Sequence, residues 1–242
     1  MCGRFGLKTT FSTLARLLRA DPVAPHEWGP DFNVAPTDPA PVVLAKDDGT
    51  RALDLFRWGL VPFWANGPKD PRVGARIINA RADGIADKPA FRDGFQSRRL
   101  LVPVSGWFEW ETRTPVGKGK AAKIPHWFHP PEAQARPEDA LFMLAGVGAK
   151  WTDKETGEVL RTFSIVTTES AGVAAGVHDR MPVILDGDGQ RRWLAKDTPK
   201  QGLLELLVPY RGPVAEHVVS QAVNNVRSDG PELIAPVRDL LS

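Results

Sequence analysis

Cysteine is all but missing from this 242-residue sequence, which holds one, at position 2. A lone cysteine excludes an intramolecular disulfide framework and any zinc site built on several thiolates. Tyrosine is equally scarce, one residue against eight tryptophans. Tryptophans mostly fill cores, yet they are also the side chains best suited to stack on or wedge between bases. No apolar run approaches the roughly 20 residues needed to span a bilayer. The opening Met-Cys-Gly-Arg-Phe-Gly-Leu-Lys lacks the apolar core of a secretory signal. A reducing cytoplasm is therefore the expected compartment. Net charge is also small, at +2. That argues against wrapping a long stretch of nucleic acid and leaves room for short contacts with a few phosphates. No P-loop, GxGxxG, HExxH or GxSxG pattern occurs.

The chain is long enough to bury a sizeable core, and its charged fraction of 25% is ordinary for a globular protein. Thr10–Ala20 reads as a short amphipathic helix ended by Asp21-Pro22, and residues 22–41 as an irregular loop. Pro41–Ala45 and Ala52–Trp58 read as a hairpin around Asp47-Asp48-Gly49-Thr50. Further strands are predicted at Ala75–Asn79, Leu100–Val104, Trp107–Glu111, Ile124–Phe128, Leu141–Val147, Leu160–Thr167, Val183–Leu185 and Val214–Ser220. Helices are predicted near Pro89–Gln96, Gln190–Lys196 and Lys200–Leu207. Strands dominate without regular alternation with helices, which points to α+β rather than a doubly wound sheet. Neither Thr112–Ala122, read as a mobile hairpin tip, nor the polar connection Pro130–Glu138 makes a domain boundary. One domain, residues 1–242, is expected.

Loss of Met1 would leave Cys2 with a free α-amine and a thiol on adjacent carbons. Such an amine has a pKa of about 7.7–8.0, so a useful fraction is a neutral nucleophile near pH 7. A 1,2-aminothiol condenses with an aldehyde to an imine, and its thiol then closes a five-membered thiazolidine. The plain alternative is an incidental residue on a frayed terminus. In Gly106-Trp107-Phe108-Glu109-Trp110-Glu111, a strand places Glu109 among aromatics, where desolvation raises a carboxyl pKa and suits it to proton transfer; a wet edge strand is the alternative. His178, in His178-Asp179-Arg180-Met181-Pro182 after a run of small residues, is the histidine best set for proton transfer. His126 and His129 lie three apart in a strand and face opposite ways, which weakens a metal reading. Asn79, in Asn79-Ala80-Arg81, could hold a hydroxyl or carbonyl, or cap a turn.

Taken in order, these blocks resemble the SRAP family, the SOS response-associated peptidase or abasic-site-processing proteins. The resemblance runs from Met1-Cys2-Gly3-Arg4-Phe5 through Asn33-Val34-Ala35-Pro36, Trp58-Gly59-Leu60-Val61-Pro62 and Asn79-Ala80-Arg81. It continues through Gly106-Trp107-Phe108-Glu109-Trp110 and His178-Asp179-Arg180-Met181-Pro182 to Val223-Asn224-Asn225-Val226. It implies a SRAP-like domain with a twisted, barrel-like sheet core, and a monomer that recognises abasic sites in single-stranded DNA during the DNA damage response. Covalent cross-linking would run through Cys2 once Met1 is removed, with lyase-like Schiff-base chemistry. Asn79 would position the ring-opened sugar or the amine, and Glu109 and His178 would carry protons. Arg4, Asn33, Pro36, Trp64, Arg81 and Arg180 would lie along the DNA groove. No metal, cofactor or membrane is implied, and the protein would associate with the nucleoid when bound to DNA. Two departures stand out: Asp83 replaces a longer acidic residue after Asn-Ala-Arg, and Phe63-Trp64 replaces a Trp pair.

Two other classes stay open. An N-terminal-cysteine amidohydrolase also opens Met-Cys-Gly, although its downstream His-Arg-Gly-Pro and Asn-Gly-Glu segments are missing here. A passive single-strand DNA-binding module would leave Cys2 inert. A peptidase acting on other proteins is a further reading, but the residues suggest only self-removal of Met1.

Overall fold

The computed structural model describes residues 2–68, 70, 73–114, 121–131 and 140–237. The chain opens with β1 (Arg4–Leu7), α1 (Phe11–Leu18), β2 (Ala20–Pro22) and β3 (Asp31–Val34). Thr10 caps α1 by accepting from the Thr13 amide, and Arg19 ends it in the left-handed conformation. Phe11, Leu14 and Leu18 are its buried face, as their spacing requires. The hairpin β4 (Pro39–Ala45) and β5 (Arg51–Trp58) follows, then β6 (Asn79–Arg81), α2 (Arg92–Ser97) and β7 (Arg99–Val104). A second hairpin is β8 (Gly106–Arg113) with β9 (Ala122–His129), and a third β10 (Phe142–Thr152) with β11 (Val159–Glu169). The chain finishes with β12 (Arg180–Pro182), α3 (Gly187–Leu194), α4 (Lys200–Leu204) and β13 (Ala215–Val218).

Two sheets result. In the larger, β5, β4, β7, β10 and β11 pair in that order, and β11 returns to β5 through the parallel contacts Thr162–Arg57 and Phe163–Trp58. Five strands thus close into a barrel, with β2 added on β5, and β6 and β12 on β11. Closure depends on Gly59. It sits at φ 116°, donates its amide to the Phe163 carbonyl, and has no room for a Cβ, which would lie 2.8 Å from the Gly74 carbonyl oxygen. The smaller sheet runs β13-β9-β8-β1-β3 and is antiparallel throughout. Gly106, the first residue of β8, is held against Trp127 and the Phe128 carbonyl too closely for any side chain.

Alternation along β7 shows how the layers stack. Leu101 joins Leu14, Phe95 and Trp193 under the helices, whereas Leu100, Val102 and Val104 face inward with Phe5, Trp107 and Phe128 of the smaller sheet. Cys2 belongs to that inner layer. The strand-rich α+β architecture with a barrel core matches the sequence expectation.

Four local expectations differ from the structure. The helix expected to run to Ala20 stops at Leu18, and Ala20–Pro22 is a strand because β5 pairs with it. Residues 22–41 contain β3, which forms because β1 pairs with it. Residues 74–76 are a 3-10 turn, and the strand begins only at Asn79, where β11 offers a partner. Val183–Leu185 contributes a single bridge, Ile184 to Leu144, beyond β12. The β8–β9 ladder holds out to Arg113–Ala122, so the hairpin reading stands, while residues 115–120 and most of Pro130–Glu138 lie outside the described residues. Among the described residues, no helix is long and apolar enough to cross a membrane.

Candidate active site at the buried Cys2

Cys2 is fully buried just ahead of β1, in one apolar cluster with Ala174 and Met181. The Asn79 side-chain amide donates to the Cys2 carbonyl at 2.8 Å, which fixes the residue's orientation. The other end of that side chain, Oδ1, is buried with no hydrogen-bond partner among the described residues. A buried acceptor left in this state carries a desolvation penalty of about 1–3 kcal/mol, which an incoming N–H or O–H would remove. Asn79 is thus both a brace for residue 2 and a waiting acceptor beside it.

Glu109 is only 2% exposed on β8, and burial pushes its carboxyl up to about 7. Its charge reaches the Cys2 thiol, which burial and this carboxylate together hold well above the ordinary thiol range. Near neutral pH the thiol is therefore protonated and Glu109 exchanges between its two forms. Across the ladder His126 pairs with Glu109, but its imidazole is engaged with Glu216 at 2.5 Å and lies 3.4 Å from Glu111. Among the described residues, no group of three or more His, Cys, Asp or Glu side chains is arranged to hold a metal ion.

The small-residue run forms a 3-10 turn, Gly172–Gly176, whose Ala174 packs in the layer of Cys2. His178 follows directly on Val177, which packs against that same layer. Its ring sits below the ordinary histidine range because of burial and neighbouring positive charge. Nδ1 lies 3.0 Å from the Arg180 amide and 2.7 Å from the Asp179 carboxylate. The amide donates only to a bare Nδ1, and the carboxylate accepts only from a protonated one. Gaining or losing that proton therefore exchanges one partner for the other without moving the ring. The charge of Asp179 also reaches Glu109, so both candidate proton carriers belong to one electrostatic neighbourhood.

The six groove residues fall into two groups. Arg81 and Arg180 flank Thr167 on β11, and Trp64 is 42% exposed beside the still more exposed Phe63. Pro36 is half-buried in the turn Ala35–Asp38, where Asp38 accepts from the Ala35 amide. Arg4 and Asn33 sit elsewhere: both are buried, joined at 2.7 Å, on the outer face of the smaller sheet. Arg4 donates to the Val223 carbonyl, and the Asn33 amide donates to the carbonyls of Asn225 and Ser228. Arg4 Nη1 and the Asn33 side-chain amide are thus engaged inside the protein. With Trp110 donating to Asn224 Oδ1, they clamp the segment Val223-Asn224-Asn225-Val226 against β1, β3 and β8. Two site residues escaped the sequence reading, Asp83 as a partner of Arg81 and Thr167 as the brace of Arg180. The i, i+2 placement of Arg81 and Asp83 past a strand end was the available signal for the first; the second depends on long-range pairing.

A family model described as SOS response associated peptidase (SRAP) matches residues 1–226. The abasic site processing protein YoqW of Bacillus subtilis (strain 168) is 35% identical over 237 residues, covering 97% of this chain and 99% of that one. The abasic site processing protein HMCES of Xenopus tropicalis is 29% identical over 232 residues, covering 87% of this chain and 67% of that one. A crystal structure of a protein from Bacteroides thetaiotaomicron superposes with a TM-score of 0.81 at 26% identity, covering 98% of this chain and all of that one.

Proposed function

The chain belongs to the SOS response associated peptidase family, and from that premise we propose that it processes abasic sites by forming a thiazolidine cross-link between Cys2 and single-stranded DNA. Removal of Met1, by the protein itself or by an aminopeptidase, converts the Cys2 nitrogen from an amide to a nucleophilic amine. An abasic deoxyribose is mostly a closed hemiacetal, so a proton donor must first open it to the aldehyde. Glu109 in its acid form is the donor, and His178, held neutral, is the acceptor for protons released in the same steps. The Cys2 amine adds to the aldehyde carbon and water leaves, giving an imine. The thiol then adds across the C=N bond, sulfur to carbon and hydrogen to nitrogen. Holding amine, thiol and aldehyde together raises their effective concentration by roughly 10⁵-fold or more. The same residues, run in reverse, open the ring and release the strand.

One observation carries the reading: a buried cysteine braced by Asn79, within reach of a carboxyl whose pKa of about 7 suits it to pass protons at neutral pH. The exposed Phe63 and Trp64 support a single strand as substrate, since unpaired bases stack on aromatics without sequence preference. The proposed unit is a single-domain monomer. Intact mass spectrometry of the purified protein, alone and after incubation with an abasic single strand, tests it. The expected masses are the chain without its initiator methionine, and that chain plus the strand less water. No adduct, together with ammonia release from glutamine, would assign the site to an N-terminal-cysteine amidohydrolase instead.

A further inference from the structure

Two residues beyond Asn79, on the same face of β6, Arg81 turns its guanidinium to Asp83: Nε lies 2.9 Å and Nη2 2.7 Å from the two carboxylate oxygens. This two-pronged geometry is also the one by which arginine holds a phosphate. Arg180 converges on the same carboxylate from the buried side, its Nη1 3.6 Å from Asp83 Oδ1. Arg180 cannot swing away, because its Nη2 is held by the Thr167 carbonyl at 2.6 Å and by the Thr167 hydroxyl at 3.1 Å. The three side chains meet in an open cleft of about 320 Å³ whose other walls include Thr168, Glu169 and Leu204. Asp83 itself is exposed, on a turn that follows the strand. An anion is thus already seated between two arginines, one buried and braced and one exposed, a strand's step from the residue that braces Cys2.

We propose that Asp83 is an internal counter-ion seated where a DNA phosphate binds, between Arg81 and Arg180, so that a strand binds by displacing it; this rests on the reading of the site as a binder of single strands. A displaced carboxylate returns when the strand leaves. The arginines therefore never stand uncompensated, and part of their charge is withheld from non-specific encounters. The carboxylate and the phosphate compete for the same two N–H groups, so Asp83 lowers affinity without touching the reacting atoms.

Anisotropy titrations with an intact single-stranded oligonucleotide, which has no aldehyde to trap, over a range of salt separate the outcomes. Asp83→Asn keeps the size and removes the charge. It should bind about threefold to fivefold tighter at low salt, the equivalent of one exposed ion pair. Its slope of log K against log salt should steepen by about 0.7, one more phosphate neutralised at full effect. Asp83→Glu, which keeps the charge, should stay near wild type. If Asp83→Asn binds no tighter while Arg81→Ala binds more weakly, Arg81 touches DNA but Asp83 only orients it, and the counter-ion role is overturned. If neither substitution alters affinity or slope, the seat is off the DNA path, which overturns the role and the groove assignment together.

Discussion

The proton traffic proposed at Cys2 would depend on a carboxyl lifted toward neutrality and an imidazole held below its ordinary range, and both roles can be tested one residue at a time. Glu109 titrates near 7 in the folded chain against 4.5 for an ordinary glutamate. Between those values the folded state binds the extra proton, so Glu109 makes stability fall as pH rises from 4.5 through about 7. Glu109→Gln removes that term. Urea unfolding should find the variant close to wild type at pH 4 and more stable at pH 8 by roughly 3 kcal/mol. An equal gap at both pH values would mean that the folded protein does not hold Glu109 protonated. The same variant, and His178→Ala, should slow adduct formation by about 10²–10⁴-fold while binding intact strands normally; a matching loss of binding would move them from proton transfer to DNA contact. Cys2→Ala should abolish the adduct. Cys2→Ser keeps the amine and should give an imine that is trapped by borohydride but lost on heating without it.

Single elements explain why some residues were readable and others were not. The hairpins of β4–β5 and β8–β9 and the separate strands β10 and β11 declare themselves through alternation and turn residues, and Glu109 declares itself through its aromatic neighbours. β3 and β6 are too short to carry a pattern of their own, and exist because β1 and β11 offer them partners. Arg4 and Asn33 illustrate the harder case. A charged or amide side chain in a strand reads as a surface group, and only the folded chain reveals that the 223–228 segment closes over it. The clamp makes its own prediction. Asn33→Ala removes bonds to Arg4, Asn225 and Ser228 and leaves the buried Arg4 guanidinium with only the Val223 carbonyl, so it should cost about 2–4 kcal/mol. Amide exchange should speed up in residues 221–228, while the protein that remains folded still cross-links. Weaker DNA binding at unchanged stability would instead place Asn33 on the strand's path.

For the whole molecule, a net charge of +2 and the small number of arginines proposed to touch the strand predict salt dependence that is real but shallow. Each phosphate neutralised on a single strand contributes about −0.7 to the slope of log K against log salt. Arg81→Ala should flatten that slope, and Trp64→Ala should weaken binding with the slope nearly unchanged, because stacking releases few counterions; a salt titration of both variants on intact strands checks the pair. The buried position of Cys2 has a consequence in time as well as in space. Its brace, Asn79, is 77 residues away, and the turn that packs beside it spans Gly172–Gly176. Translation at about 5–20 residues per second leaves roughly ten to thirty seconds before that turn exists. Throughout synthesis the start of the chain is bare, and an enzyme cutting the bond before Cys2 has free access to it. Once the turn has folded Cys2 is buried, so for the N-terminal processing proposed above the length of chain between residues 2 and 174 would act as the clock.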